Sequence, residues 1–159
     1  MSDFRKLRVW HAAEQLAVDV HRIASEMRGP GSAALRDQLI RAALSAPANI
    51  VEGSAHASPR EFARFLQYAL SSVSEVEGHL QMARDLTMVG EQDFDRLLAG
   101  VSAVRMMLHG LIKTVKGRTA PRRVAVNRAP GNGKQNSETF ELTAELSAPR
   151  CQLNAIVAT

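Results

Sequence analysis

Residues 58–83 read SPREFARFLQYALSSVSEVEGHLQMA, and this stretch decides the fold. Phe62, Leu66, Ala69, Val73, Val76, Leu80 and Ala83 recur at alternating spacings of four and three. That period gathers them on one side of an α-helix, forming a continuous seam suited to shallow-angle packing against other helices. The start of the helix is marked chemically. Ser58 is a predicted N-cap, Pro59 suits the first helical position because its missing donor is not needed there, and Glu61 completes a capping box. Gly90 is predicted to stop the segment.

Working outward, the same device recurs downstream in Phe94, Leu97, Val101, Val104, Leu108, Leu111 and Val115. Charges there match a helix dipole, with Glu91, Asp93 and Asp95 in front, Lys113 and Lys116 behind, and Gly117 as the predicted end. Upstream, Trp10, Ala13, Ala17, Val20, Ala24 and Met27 form an amphipathic stripe that Leu16 and Ile23 widen. Gly29-Pro30-Gly31 closes that segment. Another begins near Ser32 and carries Leu35, Leu39, Ala42, Ala43, Ala46 and Ile50, with Gly53 predicted as a left-handed C-terminal cap. Pro47 lies inside it and is expected to remove one backbone hydrogen bond and bend the helix, unless the helix breaks.

Four such helices on short links predict an all-α, antiparallel, up-down-up-down four-helix bundle over residues 1–117. Composition agrees: 45% of residues are hydrophobic but only 4% aromatic, and the apolar content is mainly Ala, Leu and Val. Residues 118–159 hold Pro121, Pro130, Gly131 and Gly133 with no sustained apolar period, and read as a basic, irregular, disordered or loosely ordered tail. Phe140, Leu142, Ala144 and Leu146 alternate with polar residues, so a short strand or partner-binding segment is the alternative there.

The formal charge is +4, and its distribution matters more than its size. Residues 1–116 carry 14 Lys and Arg against 13 Asp and Glu, whereas 117–159 carry 6 against 3. Most of the excess therefore lies in the tail. No run of about 18 apolar residues occurs, and Ser2, Asp3, Arg5, Lys6 and Arg8 precede amphipathic sequence without a cleavage site. We therefore expect neither a membrane span nor a signal peptide. Cys151 is the only cysteine, which excludes an intrachain disulfide and makes a cytoplasmic location the default expectation.

Catalytic signals are missing where a bundle enzyme would carry them. A di-metal bundle needs a Glu three residues before a His, but the residues before His11, His21, His56, His79 and His109 at that spacing are Arg8, Val18, Gly53, Val76 and Met106. Glu75 and His79 share a helical face and read as a surface pair. Gly131-Asn132-Gly133-Lys134 lacks the strand and helix of a phosphate loop, and no serine sits in a nucleophile elbow. The expectation is a protein without enzymatic activity, cofactor or metal.

One polar motif stands out. Arg41, Ser45, Asn49 and Glu52 form a stripe along one helix, with Glu61, Arg64, Ser71, Ser72, Glu75 and Glu77 as prospective partners on the next. We read it as a buried or inter-subunit hydrogen-bond network that fixes register. The alternative is a small-ligand or metal-binding enzyme using Asn49, Glu52 and Glu75.

Leu7-Arg8-Val9-Trp10, the block from Gln38 through Arg41, Pro47 and Glu52 to Gly53, and Glu61-Phe62-Ala63-Arg64-Phe65-Leu66 carry a resemblance. With Ala69, Leu70, Ser72, Glu75 and Leu80, they make residues 4–115 similar to the four-helix bundle proteins related to those encoded in intervening sequences of the large-subunit ribosomal RNA gene. The resemblance implies a left-handed bundle assembled into a homopentamer, with no established enzymatic activity. It also implies a fold similar to the basic accessory protein of diversity-generating retroelements, which binds reverse transcriptase and nucleic acid. The near-neutral bundle here departs from that basic character, and the tail has no counterpart.

An oligomer has its own candidates in the residues. Gly100, Ala103, Met107 and Gly110 form a second stripe beside the fourth seam, and Trp10 and Phe65 are aromatic anchors for either core or interface. For RNA or a nucleoprotein as partner, the basic candidates are Arg5, Lys6 and Arg8, and in the tail Arg118, Arg122, Arg123 and Arg128.

Overall fold

The computed structural model describes the backbone of residues 3–119 and the side chains of residues 3–117. The readings placed on Arg122, Arg123, Arg128, Cys151 and the Phe140–Leu146 alternation lie outside the described residues. A single 3₁₀ turn, Phe4–Lys6, leads into α1 (Arg8–Glu26), α2 (Ser32–Ala55), α3 (Pro59–Asp85) and α4 (Glu91–Thr119). Among the described residues there is no strand.

Direction follows from pairs of residues that touch. Ser45 meets Ser72 while Gly53 meets Phe65, so α2 and α3 run antiparallel. Arg84 stacks over Phe94 while Arg105 pairs with Glu77, which orients α4 against α3 in the same way. Gly100 faces Leu16, and Val9 shares a concavity with Met107 and Leu111, closing α4 back on α1. Each helix thus packs on two neighbours, and no backbone contact crosses either diagonal among the described residues.

The predicted seams form the core. Val20, Leu39, Ile50, Leu66, Val73, Val76, Leu80, Val101 and Leu108 are all fully or almost fully buried. Trp10 and Phe62 are half-buried at its edge. Late in α4 the seam shifts, with Ile112 buried in the place expected for Leu111. A straight helix of 3.6 residues per turn drifts away from a strict seven-residue repeat.

Several expected boundaries are corrected. Gly53 is not a left-handed cap: α2 continues through it to Ala55, and a Cβ there would lie 2.7 Å from the Phe65 Cβ. The glycine serves close approach of two helices instead of a turn. Ser58 is the N-cap of α3 but its side chain makes no capping hydrogen bond, and Glu61 turns to Arg64 at 2.6 Å. A charge-assisted pair is the stronger partner for that carboxylate. The α3 helix stops at Asp85, before Gly90, because Thr87 adopts φ 55° and Met88 N–H bonds the Ala83 carbonyl at 2.8 Å. That is a Schellman closure without glycine. Gly117 does not end α4, which runs to Thr119; one helical glycine costs only about 1 kcal/mol. Pro47 leaves α2 unbroken. Burial of Ala43, Ala46 and Ile50 around it holds the helix across the missing bond.

Candidate functional surfaces

The polar stripe on α2 separates into two parts. Ser45 and Asn49 are half-buried against α3: Asn49 Nδ2 donates to the Ser45 carbonyl (2.9 Å) and Oγ (3.1 Å). Ser45 Oγ in turn is hydrogen-bonded to Ser72 Oγ at 2.9 Å, and Ser72 also bonds the Tyr68 carbonyl. Every buried side-chain polar atom among the described residues has a partner, so this rung is saturated. Arg41, Glu52 and Glu75 are exposed and stand outside it. The register that pairs Ser45 with Ser72 and Gly53 with Phe65 puts Glu75 beyond Ser72, on the side of the rung away from Asn49 and Glu52. Among the described residues no three His, Cys, Asp or Glu side chains converge in a metal-holding group.

At the α2–α3 turn an aromatic cluster caps the rung. His56 stacks on Phe65 with centroids 5.1 Å apart and planes at 13°, Tyr68 meets Phe65 edge-on, and the Arg64 guanidinium lies 5.5 Å from the Phe65 centroid. Phe65 itself is buried, which ties it to the bundle and not to the outer surface.

The sides of the bundle carry apolar residues that no helix covers. Between α1 and α2 an open groove of about 410 Å³ is lined by Trp10, Ala17, Val18, Leu44 and Pro47, flanked by Glu14 and His21. Val18 and Leu44 are 58% and 54% exposed. On α4, Met106 is 70% exposed, while Met107 is half-buried against the core. The four residues of the predicted second stripe divide: a Cβ on Gly100 would meet Leu16 inside the bundle at 3.1 Å, Ala103 is half-buried, and Gly110 is open. The α4 stretch Glu91–Gly117 is also long and apolar enough to cross a membrane by length and composition, and 28% of its most apolar window is buried.

The antiparallel order gathers four helix ends at one pole of the bundle: the start of α1, the end of α2, the start of α3 and the end of α4. Lys6 and Arg8 line one concavity there with Met107, Gly110 and Leu111. Arg60, Arg64 and Lys116 line another, of about 490 Å³, with Glu61 and Gln67. Arg5 is exposed beside Asp3 at 3.9 Å. Arg118 belongs to the last turn of α4, its side chain lying outside the described residues.

A model of the 23S rRNA-intervening sequence protein family matches residues 5–110. The chain belongs to this family. Among solved structures, the chain is similar to a Bacteroides thetaiotaomicron protein of unknown function from the S23 ribosomal protein family. The TM-score is 0.61 at 19% identity, covering 66% of this chain and 98% of that one, a likeness of fold. No curated protein matches the chain.

Within this member of the 23S rRNA-intervening sequence protein family, sequence reading missed two features. One is the ion pair between Arg105 and Glu77 that ties α4 to α3; both residues flank their seams, but nothing local relates them. The other is the placing of Arg60, Arg64, Lys113 and Lys116 at the same pole as the N-terminal basic cluster. The predicted up-down order was the signal that could have found it.

Proposed function

We propose that this chain is a non-catalytic, cytoplasmic scaffold that self-assembles through the sides of its bundle and binds RNA or a nucleoprotein. The number of copies implied by the family resemblance is five. One observation carries the reading: α4 holds more apolar surface than its own bundle consumes, with Met106 70% exposed. Exposed apolar patches on a closed domain are normally covered by another protein surface. Two separate apolar sides, on α1–α2 and on α4, favour a head-to-tail contact, and contacts of that type close into rings when the rotation permits. Outer positions of α1 such as Glu14, Asp19 and Arg22 are charged, which disfavours lipid as the covering medium.

Sedimentation at micromolar concentration tests this. The expected particle is a multiple of the 17.3 kDa chain, and Met106→Glu shifts it toward monomer without loss of helicity. A wild-type monomer at those concentrations overturns the assembly.

A further inference from the structure

Folding separates charge that the sequence mixes. Segments 3–8, 52–64 and 110–119, which meet at one pole, contain eight Lys and Arg against three Asp and Glu. Segments 22–37 and 81–96, which meet at the other, contain five against six. Two of the acids at the first pole are already engaged, Asp3 with Arg5 and Glu61 with Arg64, which leaves Glu52 in the last turn of α2. Lys6, Arg8, Arg60 and Lys113 make no ion pair with any described residue. The two concavities flank α4, one on its α1 side and the other on its α3 side, with Gly110 of one and Lys116 of the other about 9 Å apart along the helix axis.

We infer that this pole is an RNA-binding surface, with Lys6, Arg8, Arg60, Arg64, Lys113 and Lys116 contacting the phosphodiester backbone of a single strand. The inference rests on the proposed scaffold reading and assigns its binding face. A positive pole on a nearly neutral bundle produces a local field that the net charge conceals, and phosphate contact is where such a field gives affinity. Arg60 and Arg64 carry planar guanidinium groups that match phosphate oxygens two at a time. His56, exposed and stacked on Phe65, presents an aromatic face at the same pole, on which a base can stack. An anionic bilayer is the less suitable partner. Interfacial binding needs apolar side chains beside the basic ones, and none of the exposed large hydrophobic residues (Val18, Leu44, Tyr68, Met82, Leu86 and Met106) falls within the three polar segments. In a ring with the bundles side by side, every copy turns the same pole to one face, so modest single contacts multiply.

The test is fluorescence anisotropy of the full chain with a labelled 20-nucleotide single-stranded RNA, titrated at several salt concentrations. Wild-type protein is expected to bind at low salt. Replacing Arg60, Arg64, Lys113 and Lys116 together by Gln weakens binding about ten-fold or more and reduces the slope of log K against log salt by roughly 3. Lys6→Gln with Arg8→Gln acts in the same direction with a smaller loss, and remains informative if the fourfold variant fails to fold. Arg36→Gln with Arg96→Gln, at the opposite pole, leaves binding unchanged. Wild-type binding that survives both polar variants but disappears with Arg122, Arg123 and Arg128 changed to Gln overturns this face and leaves the RNA reading intact. Wild-type protein that ignores RNA at low salt overturns the RNA reading itself. Capture by phosphatidylserine vesicles without RNA binding transfers the pole to a membrane surface and also overturns the inference.

Discussion

The α2–α3 interface and the outer face of α4 are made from helices of the same pattern, but they are finished differently. Between α2 and α3, Gly53 has no room for a methyl group, Ser45, Asn49 and Ser72 satisfy one another, and the seam residues are fully buried. On the outer face of α4, Gly110 has nothing within 4 Å and Met106 is mostly exposed. A helix has more than one face that an apolar residue can occupy, and a four-helix bundle consumes one. What remains is available for contact beyond the chain, which is why small and apolar residues on α2 and α4 carry opposite meanings.

The comparison can be broken most forcefully at the seam. Leu108→Ala removes a fully buried side chain and is expected to cost about 2–5 kcal/mol, read as a lower midpoint in a denaturant melt. An unchanged midpoint would contradict the assigned core. The same substitution at two glycines sharpens the contrast. Gly53→Ala forces a Cβ within 2.7 Å of Phe65 and is expected to destabilise by roughly 1–3 kcal/mol. Gly110→Ala meets only open space and is expected to stabilise the protomer by about 0.5–1 kcal/mol. Matching signs for the two would erase the distinction between closed and open faces. Ser72→Ala gives an effect of similar size, a destabilisation of about 1 kcal/mol, through loss of the hydrogen bond to Ser45. Addition of Ser45→Ala to that variant also removes the oxygen that accepts from Asn49 Nδ2, and is expected to cost up to about 1 kcal/mol more.

Much of the fold was legible because helix periodicity is local. The positions Val73, Val76, Leu80, Val101, Val104 and Leu108 declare a buried side by their spacing alone, and all six are buried. The candidate surfaces were less legible. Ser45 and Asn49 were recognised as a polar motif with Ser72 among six candidate partners on the next helix, but which of the six would meet them was not legible, since the register between α2 and α3 depends on where Gly53 admits the Phe65 side chain. Glu61 matched a capping pattern yet found Arg64, one turn on. Lys113 and Lys116 entered the sequence reading as complements to a helix dipole, while Lys6, Arg8, Arg60 and Arg64 at the same pole lie more than 45 residues away in the chain.

The sequence by itself determined which residues face inward, that there are four helices, and that they reverse direction in turn, because spacing, glycine and proline act over a few residues. Only the tertiary structure decided the rest: the close crossing at Gly53, the partners of the serine rung, the surplus apolar face of α4 and the separation of charge between the poles. Those are properties of distance between segments, and a chain acquires such distances when its seams pack together.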